Sequence, residues 1–137
     1  MTNKEIFYLD TLPQSMIVLG AGPIGVEMAQ SFRRLGTEVT VVDMAPQILP
    51  FDDQEMAHTV METLQSEGVK FYVNHTIEAV SDLGNERQVT LKHNDGSVVS
   101  LTAETLLVAL GRIANVEGLG LETIKVEHDR RGVKVDN

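Results

Sequence analysis

The segment Met16–Gly25, MIVLGAGPIG, constrains the fold of this chain more than any other part of the sequence. Its four leading apolar residues predict a buried strand, and the glycines after them predict a sharp turn into a helix. Gly20 permits the turn, Gly22 lets backbone amides approach a ligand, and Gly25 lets the helix pack close to the strand. A G-x-G-x-x-G spacing in this context is typical of units that bind the pyrophosphate of a dinucleotide at a helix N-terminus.

A second strand with an acid at its end is predicted about 20 residues later. The apolar run Val39–Val42 is followed by Asp43, whose carboxylate can accept a hydrogen bond from a ribose hydroxyl. Between the two runs, apolar residues recur at helical spacing from Ile24 to Leu35, and Gly36 is expected to end this helix. The sequence therefore predicts a β-α-β unit suited to a dinucleotide.

A second helix is predicted between the second strand and a third. Asp52 is placed to cap it, with Glu55 three residues further on, and Gly68 is expected to end it. Its predicted apolar face consists of Met56, Val60 and Leu64. The apolar segment Val69–Val73 then predicts a third parallel strand, which continues the doubly wound pattern.

After Val73 the pattern changes from helical to alternating. Three short runs with turn residues between them, at residues 77–81, 88–92 and 98–102, predict an antiparallel meander instead of another crossover helix. The apolar residues 106–110 are expected to return to the parallel sheet as its fourth strand, and residues 113–137 are expected to be irregular except for the alternating Val133 and Val135. The expected fold class is α/β, a Rossmann-like doubly wound parallel sheet with a three-stranded antiparallel β-meander.

The composition of the chain argues against several classes of binding partner and several kinds of catalytic chemistry. The chain has 137 residues, a formal net charge of −9 and no cysteine. The negative charge argues against nucleic acid and anionic membrane as partners, and no apolar run is long enough to span a bilayer. Without cysteine there is no disulfide or thiolate nucleophile, and the four histidines lack ligand-like spacing. We therefore expect a cytoplasmic protein with no metal site and no catalytic residue of its own.

The motifs taken together resemble one family. Beyond the glycine motif, the matching segments are 35–42 (LGTEVTVV), 48–50 (ILP), 107–112 (LVALGR) and 118–122 (GLGLE). In this order they are similar to the NAD-binding domain of the pyridine nucleotide-disulfide oxidoreductases. These flavoproteins include dihydrolipoamide dehydrogenase, glutathione reductase, mercuric reductase and soluble pyridine nucleotide transhydrogenase. The closing segments are the more specific, because a generic dinucleotide fold has no reason to contain them.

The resemblance implies that the chain is one domain of a larger enzyme. Residues 1–14 would be an approach segment, and residues 15–137 the NAD(H)-binding domain that presents nicotinamide for hydride transfer to or from flavin. Its partners would be the flavin and dimerisation domains of a parent chain that forms a homodimer. FAD would be bound by the full enzyme and not by this domain, so the isolated chain is expected to be inactive.

The resemblance also implies a set of cofactor-binding residues. They are Gly20, Gly22, Pro23, Ile24, Gly25, Glu27, Asp43, Ala109, Leu110 and Gly111. The glycines would surround the pyrophosphate, Glu27 would reach the nicotinamide ribose or carboxamide, and Asp43 would take the adenine ribose. Residues 109–111 would form a backbone wall by the cofactor, and Arg112 would either face the flavin domain or be an ordinary surface charge.

Two details of the sequence refine this expectation. Pro23 stands where several members of the family carry a tyrosine that can shield the flavin, so no such gate is expected. The loop at residues 44–50 has no basic residue to pair with a 2′-phosphate, and together with Asp43 this predicts NAD over NADP.

Two other functions share part of this sequence pattern. A free-standing NAD-sensing regulatory module would use the same glycine motif without chemistry, but residues 107–112 and 118–122 favour the enzyme. A methyltransferase that binds S-adenosylmethionine would need G-x-G-x-G, and Ile24 occupies the place of its last glycine.

Overall fold

The computed structural model describes residues 1–2 and 4–135, and its centre is a parallel β-sheet. The four strands of this sheet are β1 (Ser15–Leu19), β2 (Glu38–Val42), β3 (Lys70–Tyr72) and β7 (Thr105–Val108). They are ordered β3-β2-β1-β7, so β1 is central and pairs with β2 on one side and β7 on the other. Leu19 lies opposite both Val42 and Val108, which brings the carboxyl ends of the three strands to one edge.

Two helices cover one face of the sheet. They are α1 (Pro23–Arg34) and α2 (Gln54–Ser66), which follow β1 and β2 respectively. The buried residues of this helix-side core include Met16, Val18, Val41, Ala29, Phe32, Leu64 and Leu107. Gly36 and Gly68, each with a positive φ, come directly after the last turns of the two helices, as expected.

A separate three-stranded antiparallel sheet covers the opposite face. Its strands are β4 (His75–Asp82), β5 (Arg87–His93) and β6 (Val98–Ala103), in the order β4-β5-β6. The core between the sheets contains Ile17, Leu19, Val42, Val89, Leu91 and Ala103. Successive side chains of a strand point to opposite faces, so β1 presents alternate residues to the helices and to the meander. This explains its continuous apolar run and confirms the predicted fold class.

Three details of the helices differ from the prediction. Asp53, and not Asp52, caps α2, because its Oδ1 accepts the backbone N–H groups of Glu55 at 3.0 Å and Met56 at 3.3 Å. Met56 is 61% exposed, while the neighbouring Ala57 is buried. Leu35 lies just beyond the last turn of α1 and is 62% exposed. In each case the helix is where the sequence predicts it, and only the phase or the end differs by about a residue.

The two ends of the chain are more ordered than the sequence indicates. A 3₁₀ turn, Glu5–Tyr8, buries Ile6 in the helix-side core, and the hydroxyl of the buried Thr37 donates to the carbonyl of Pro13 at 2.8 Å. After β7, the segment expected to be irregular contains a second 3₁₀ turn and a short hairpin. These are Leu121–Ile124 and the strands β8 (His128–Asp129) and β9 (Gly132–Val133). Residues 136–137 of the predicted domain lie outside the described residues.

Neither α1 nor α2, nor any shorter helix in the described ranges, is long and apolar enough to cross a membrane.

Candidate functional site

A cleft of about 820 Å³ lies where the carboxyl ends of β1, β2 and β7 meet. The chain leaves β1 toward β2 through α1, while β7 lies on the other side of β1. This is the switch point of an open α/β sheet, where ligands bind in the crevice beyond the strand ends. The lining includes the glycine turn, the start of the loop after β2, the first residues of β4 and the segment after β7.

The glycine turn at the floor of the cleft permits no side chain at two of its positions. Gly20 has φ +105°, and a Cβ there would lie 2.4 Å from the carbonyl oxygen of Ala109. A Cβ on Gly25 would lie 1.9 Å from the carbonyl oxygen of Gly20. Both distances are far below a van der Waals contact, so these glycines let β7 and α1 approach β1 closely. Gly22 differs, because a Cβ there would have no atom within 4 Å and would extend into open space.

The N-terminus of α1 is suited to an anion. Gly22 is its N-cap and supplies no side-chain cap, and Pro23 at the first position has no N–H group. The first intrahelical bond runs from the N–H of Val26 to the carbonyl of Gly22 at 3.0 Å. The amides of Ile24 and Gly25 precede it at the positive end of the helix dipole, an arrangement that favours phosphate.

Asp43 joins the glycine turn to the loop after β2. Its Oδ2 accepts the N–H of Ala21 at 2.7 Å, and its Oδ1 accepts the N–H of Ala45 at 2.8 Å. The carbonyl of Ala21 in turn accepts the N–H of Leu49 at 2.8 Å. Each carboxylate oxygen keeps a further acceptor position, so Asp43 can orient the loop and still receive a ribose hydroxyl.

The segment after β7 forms the opposite wall. The N–H of Ala109 donates to the carbonyl of Leu19 at 2.8 Å, which continues the strand pairing by one residue. Beyond it Leu110 is 63% exposed, and Gly111 has φ +153°. Arg112 lines the same wall, and no carboxylate among residues 1–2 and 4–135 lies within 4 Å of its guanidinium nitrogens. This wall therefore presents backbone groups, the apolar side chain of Leu110 and the charged side chain of Arg112.

Eight of the ten residues predicted from the sequence line the cleft, and the exceptions are Gly25 and Glu27. Gly25 is buried beneath the turn, where it allows the close contact with Gly20. Glu27 is exposed on α1, outside the cleft wall. The structure thus brings the glycine turn, Asp43 and residues 109–111 together around the cleft, while Glu27 is not among the lining residues.

Sequence reasoning missed one side of the cleft. The missed lining residues are Val42, Met44, Ala45, Pro50, Phe51, His75, Thr76 and Ile77. His75 reaches the cleft because its N–H donates to the carbonyl of Asp43 at 3.0 Å, which connects the start of β4 to the end of β2. No motif in the sequence marks Phe51, His75, Thr76 or Ile77 as cleft residues. The start of β4 reaches the cleft beside β2, and the loop that carries Phe51 is held there by the bond from Leu49 to Ala21.

The groups that line the cleft are suited to phosphate and hydroxyl ligands. Its polar lining residues are Asp43, His75, Thr76 and Arg112, beside the backbone amides of the glycine turn. In the part of the chain that the structure describes, no three histidine, aspartate or glutamate side chains are grouped to hold a metal ion.

Comparisons of this sequence with known proteins point to a single family. The sequence profile of the pyridine nucleotide-disulphide oxidoreductase family matches residues 1–137. The dihydrolipoyl dehydrogenase of Rhizobium etli is 35% identical over 135 residues, which cover 98% of this chain and 28% of that enzyme. The dihydrolipoyl dehydrogenase of Pseudomonas aeruginosa is 36% identical over 137 residues, which cover 100% of this chain and 29% of that enzyme. Both relatives are oxidoreductases, and this chain spans less than a third of their length.

Solved structures show the same likeness. A Cu(II) complex of a mutant of the HOCl-induced flavoprotein disulfide reductase RclA from Escherichia coli superimposes with a TM-score of 0.85 at 31% identity. The superposition covers 99% of this chain and 30% of that one.

Proposed function

Because this chain belongs to the pyridine nucleotide-disulphide oxidoreductase family, we propose that it is the NAD(H)-binding part of an FAD-dependent enzyme. The observation that carries the proposal is the joining of the glycine turn to Asp43 at the edge where β1, β2 and β7 end. Residues 15–137 form the binding domain in this proposal, and residues 1–14 lead into it. In the whole enzyme the domain presents nicotinamide to the flavin for hydride transfer.

The sheet order supports one orientation of the dinucleotide. The α1 N-terminus follows the central strand β1, and it takes the pyrophosphate. Asp43 follows β2 on one side and takes the adenine ribose. Ala109, Leu110 and Gly111 follow β7 on the other side and support the nicotinamide half.

The residues of this chain bind and position the cofactor in this proposal. Pro23 and Ile24 flank the pyrophosphate beside Gly20 and Gly22, while Gly25 keeps α1 close enough for its amides to reach it. When bound, the nicotinamide supplies or accepts the hydride. Glu27, on the exposed surface of α1, reaches the nicotinamide ribose or carboxamide only if that half of the cofactor extends past the first turn of the helix.

The partners in the proposed whole enzyme are its flavin and dimerisation domains, in a homodimer. The relatives are more than three times the length of this chain, which leaves room for such domains. Leu110 and Ile113 are 63% and 77% exposed next to the cleft. Exposed apolar side chains at the mouth of a site fit a surface that another domain covers.

We propose NAD over NADP as the cofactor. Asp43 stands where a 2′-phosphate would lie, and the loop residues that line the cleft beside it, Met44, Ala45, Pro50 and Phe51, carry no positive charge. Two like charges in a partly buried site repel, so the phosphate of NADP would bind less well.

The proposal is tested with the purified 137-residue chain. Calorimetric titration with NADH is expected to show binding at one site per chain. The same protein is expected to lack the yellow absorbance of flavin and to leave NADH unoxidised in the presence of lipoamide. No heat of NADH binding, or a stoichiometric flavin spectrum, contradicts the assignment.

A further inference from the structure

We propose that Phe51 is a purine-stacking residue that sets the affinity for the adenine half of the cofactor. The inference rests on the proposed function and deepens it. Phe51 lines the rim of the cleft, and it is 99% exposed, so its ring contacts almost nothing else in the chain. A phenyl ring left in water at the mouth of a ligand cleft gains free energy when a flat ligand covers it.

The backbone that carries Phe51 is held in place. Ile48, three residues before it, is fully buried in the helix-side core. Leu49 adopts a left-handed conformation, φ +48°, which is uncommon for a residue with a side chain. Its N–H donates to Ala21 at 2.8 Å, and its carbonyl accepts the N–H of Asp52 at 2.9 Å. Such a conformation persists only where its surroundings enforce it, so the position of Phe51 is fixed while its ring stays free.

The position of this turn selects the adenine end of the cofactor. Phe51 belongs to the loop that starts at Asp43, on the β2 side of the central strand. With the adenine ribose on Asp43, the base extends away from the pyrophosphate into the space between this loop and the start of β4. The nicotinamide half lies on the opposite side, after β7.

The other aromatic residue that lines the cleft is His75, and its ring already contacts other groups of the chain. The Nδ1 of His75 lies 2.6 Å from the carbonyl oxygen of Val73. Its ring also meets the edge of Tyr72 at a centroid distance of 5.3 Å, and the ring of His93 at 4.8 Å. Phe51 is therefore the aromatic ring of the cleft wall whose face is available to a base.

The experiment compares Phe51→Ala with the wild-type chain by calorimetric titration with NADH, ADP and nicotinamide mononucleotide. Removing one base-stacking ring is expected to weaken binding of NADH and ADP alike, by roughly 5- to 20-fold, and to leave the mononucleotide unaffected. Since the ring is exposed, the melting temperature should not change. Phe7→Ala is the matched control, because Phe7 is 73% exposed and does not line the cleft.

A second variant reports directly on stacking between the side chain at position 51 and the adenine base. The chain has no tryptophan, so Phe51→Trp places a single indole at the site. Its fluorescence is expected to be quenched by ADP and not by nicotinamide mononucleotide, with affinity at least that of the wild type.

The outcomes separate the two proposals. Wild-type protein that binds NADH, together with Phe51→Ala protein that binds it equally well, overturns the stacking inference and leaves the proposed function intact. An indole signal that ADP does not change also overturns the inference. Wild-type protein that binds no NADH overturns both.

Discussion

The two walls of the cleft are built differently, although both follow parallel strands of one sheet. On the β2 side, Asp43 and Leu49 tie the loop to both backbone groups of Ala21. On the β7 side, the N–H of Ala109 bonds to Leu19, and the chain beyond it runs through Leu110, which is mostly exposed. One wall is braced against the glycine turn by side-chain and backbone bonds, and the other continues the strand for one residue before turning out toward solvent.

This difference indicates that the two walls contribute differently to ligand binding. A braced wall loses little conformational freedom when a ligand binds, so the binding energy is retained as affinity. Under the proposed function, the adenine half of the cofactor is expected to supply most of the affinity of this chain. The exposed wall would then suit a nicotinamide that a flavin on another domain also has to reach.

The largest expected effect comes from displacing the glycine turn, which lies between the two walls. Gly25→Ala places a methyl group against the carbonyl of Gly20, so the turn or α1 must shift. We expect a loss of about 2–4 kcal/mol in the free energy of unfolding, from overpacking of the added methyl group against the backbone. Urea denaturation followed by circular dichroism measures it.

Gly22→Ala is the matched control for that substitution. The added methyl group meets no protein atom within 4 Å, so stability should change by less than about 1 kcal/mol. Its NADH affinity should nevertheless fall, since the methyl group extends into the space assigned to the pyrophosphate. A Gly25→Ala protein as stable as the wild type would contradict the close packing of α1 against the carbonyl of Gly20.

The next largest effect concerns the charge on the braced wall. Repulsion between Asp43 and a 2′-phosphate, reduced by solvent screening, is expected to make NADH bind roughly tenfold to hundredfold more tightly than NADPH. Asp43→Asn removes the charge while one amide oxygen still accepts a backbone N–H, and the preference should fall to within about threefold. Parallel calorimetric titrations measure both ratios. Equal affinities in the wild type would mean that Asp43 does not read the ribose.

The smallest effect lies away from both walls. The carboxylate of Glu67, the C-cap of α2, accepts two hydrogen bonds, at 2.6 and 3.0 Å, from Arg34, the last residue of α1. The side-chain hydrogen bond from Arg34 lowers the pKa of Glu67. A lowered pKa in the folded state adds stability that is fully present above the unfolded value, about 4.3, and is lost as the pH falls through the folded value.

Glu67→Gln tests this contribution. The variant should be slightly less stable than the wild type at pH 7, and the two should converge as the pH falls below about 4, where glutamate itself becomes neutral. Thermal denaturation between pH 7 and pH 3 measures the difference, with NADH affinity at pH 7 as the control. A change in that affinity would contradict the separation between this ion pair and the cleft.

Much of the fold could be predicted because it is encoded in local periods. The apolar run of β1, the helical spacing after Ile24 and the alternation after Val73 each set one kind of element. The predictions that were wrong concern which residue begins or ends a helix and which side chains of the helix face the core. Asp52 and Asp53 are equally able to cap a helix, and in the structure it is Asp53 whose side chain accepts the free amides of the first turn. One residue is 100° of a helix, so Met56 faces solvent where Ala57 faces the sheet.

Residues within a few positions of each other specify the glycine turn, the acid after the second strand and the change from helix to meander, so these features could be predicted from the residues alone. Tertiary structure decided which distant residues share the cleft. Phe51 and His75 line the same cleft as Asp43 because His75 bonds to the carbonyl of Asp43 and Leu49 bonds to Ala21, whereas Glu27 does not line it. Strand order and loop closure are long-range properties that hydrophobic period alone does not specify.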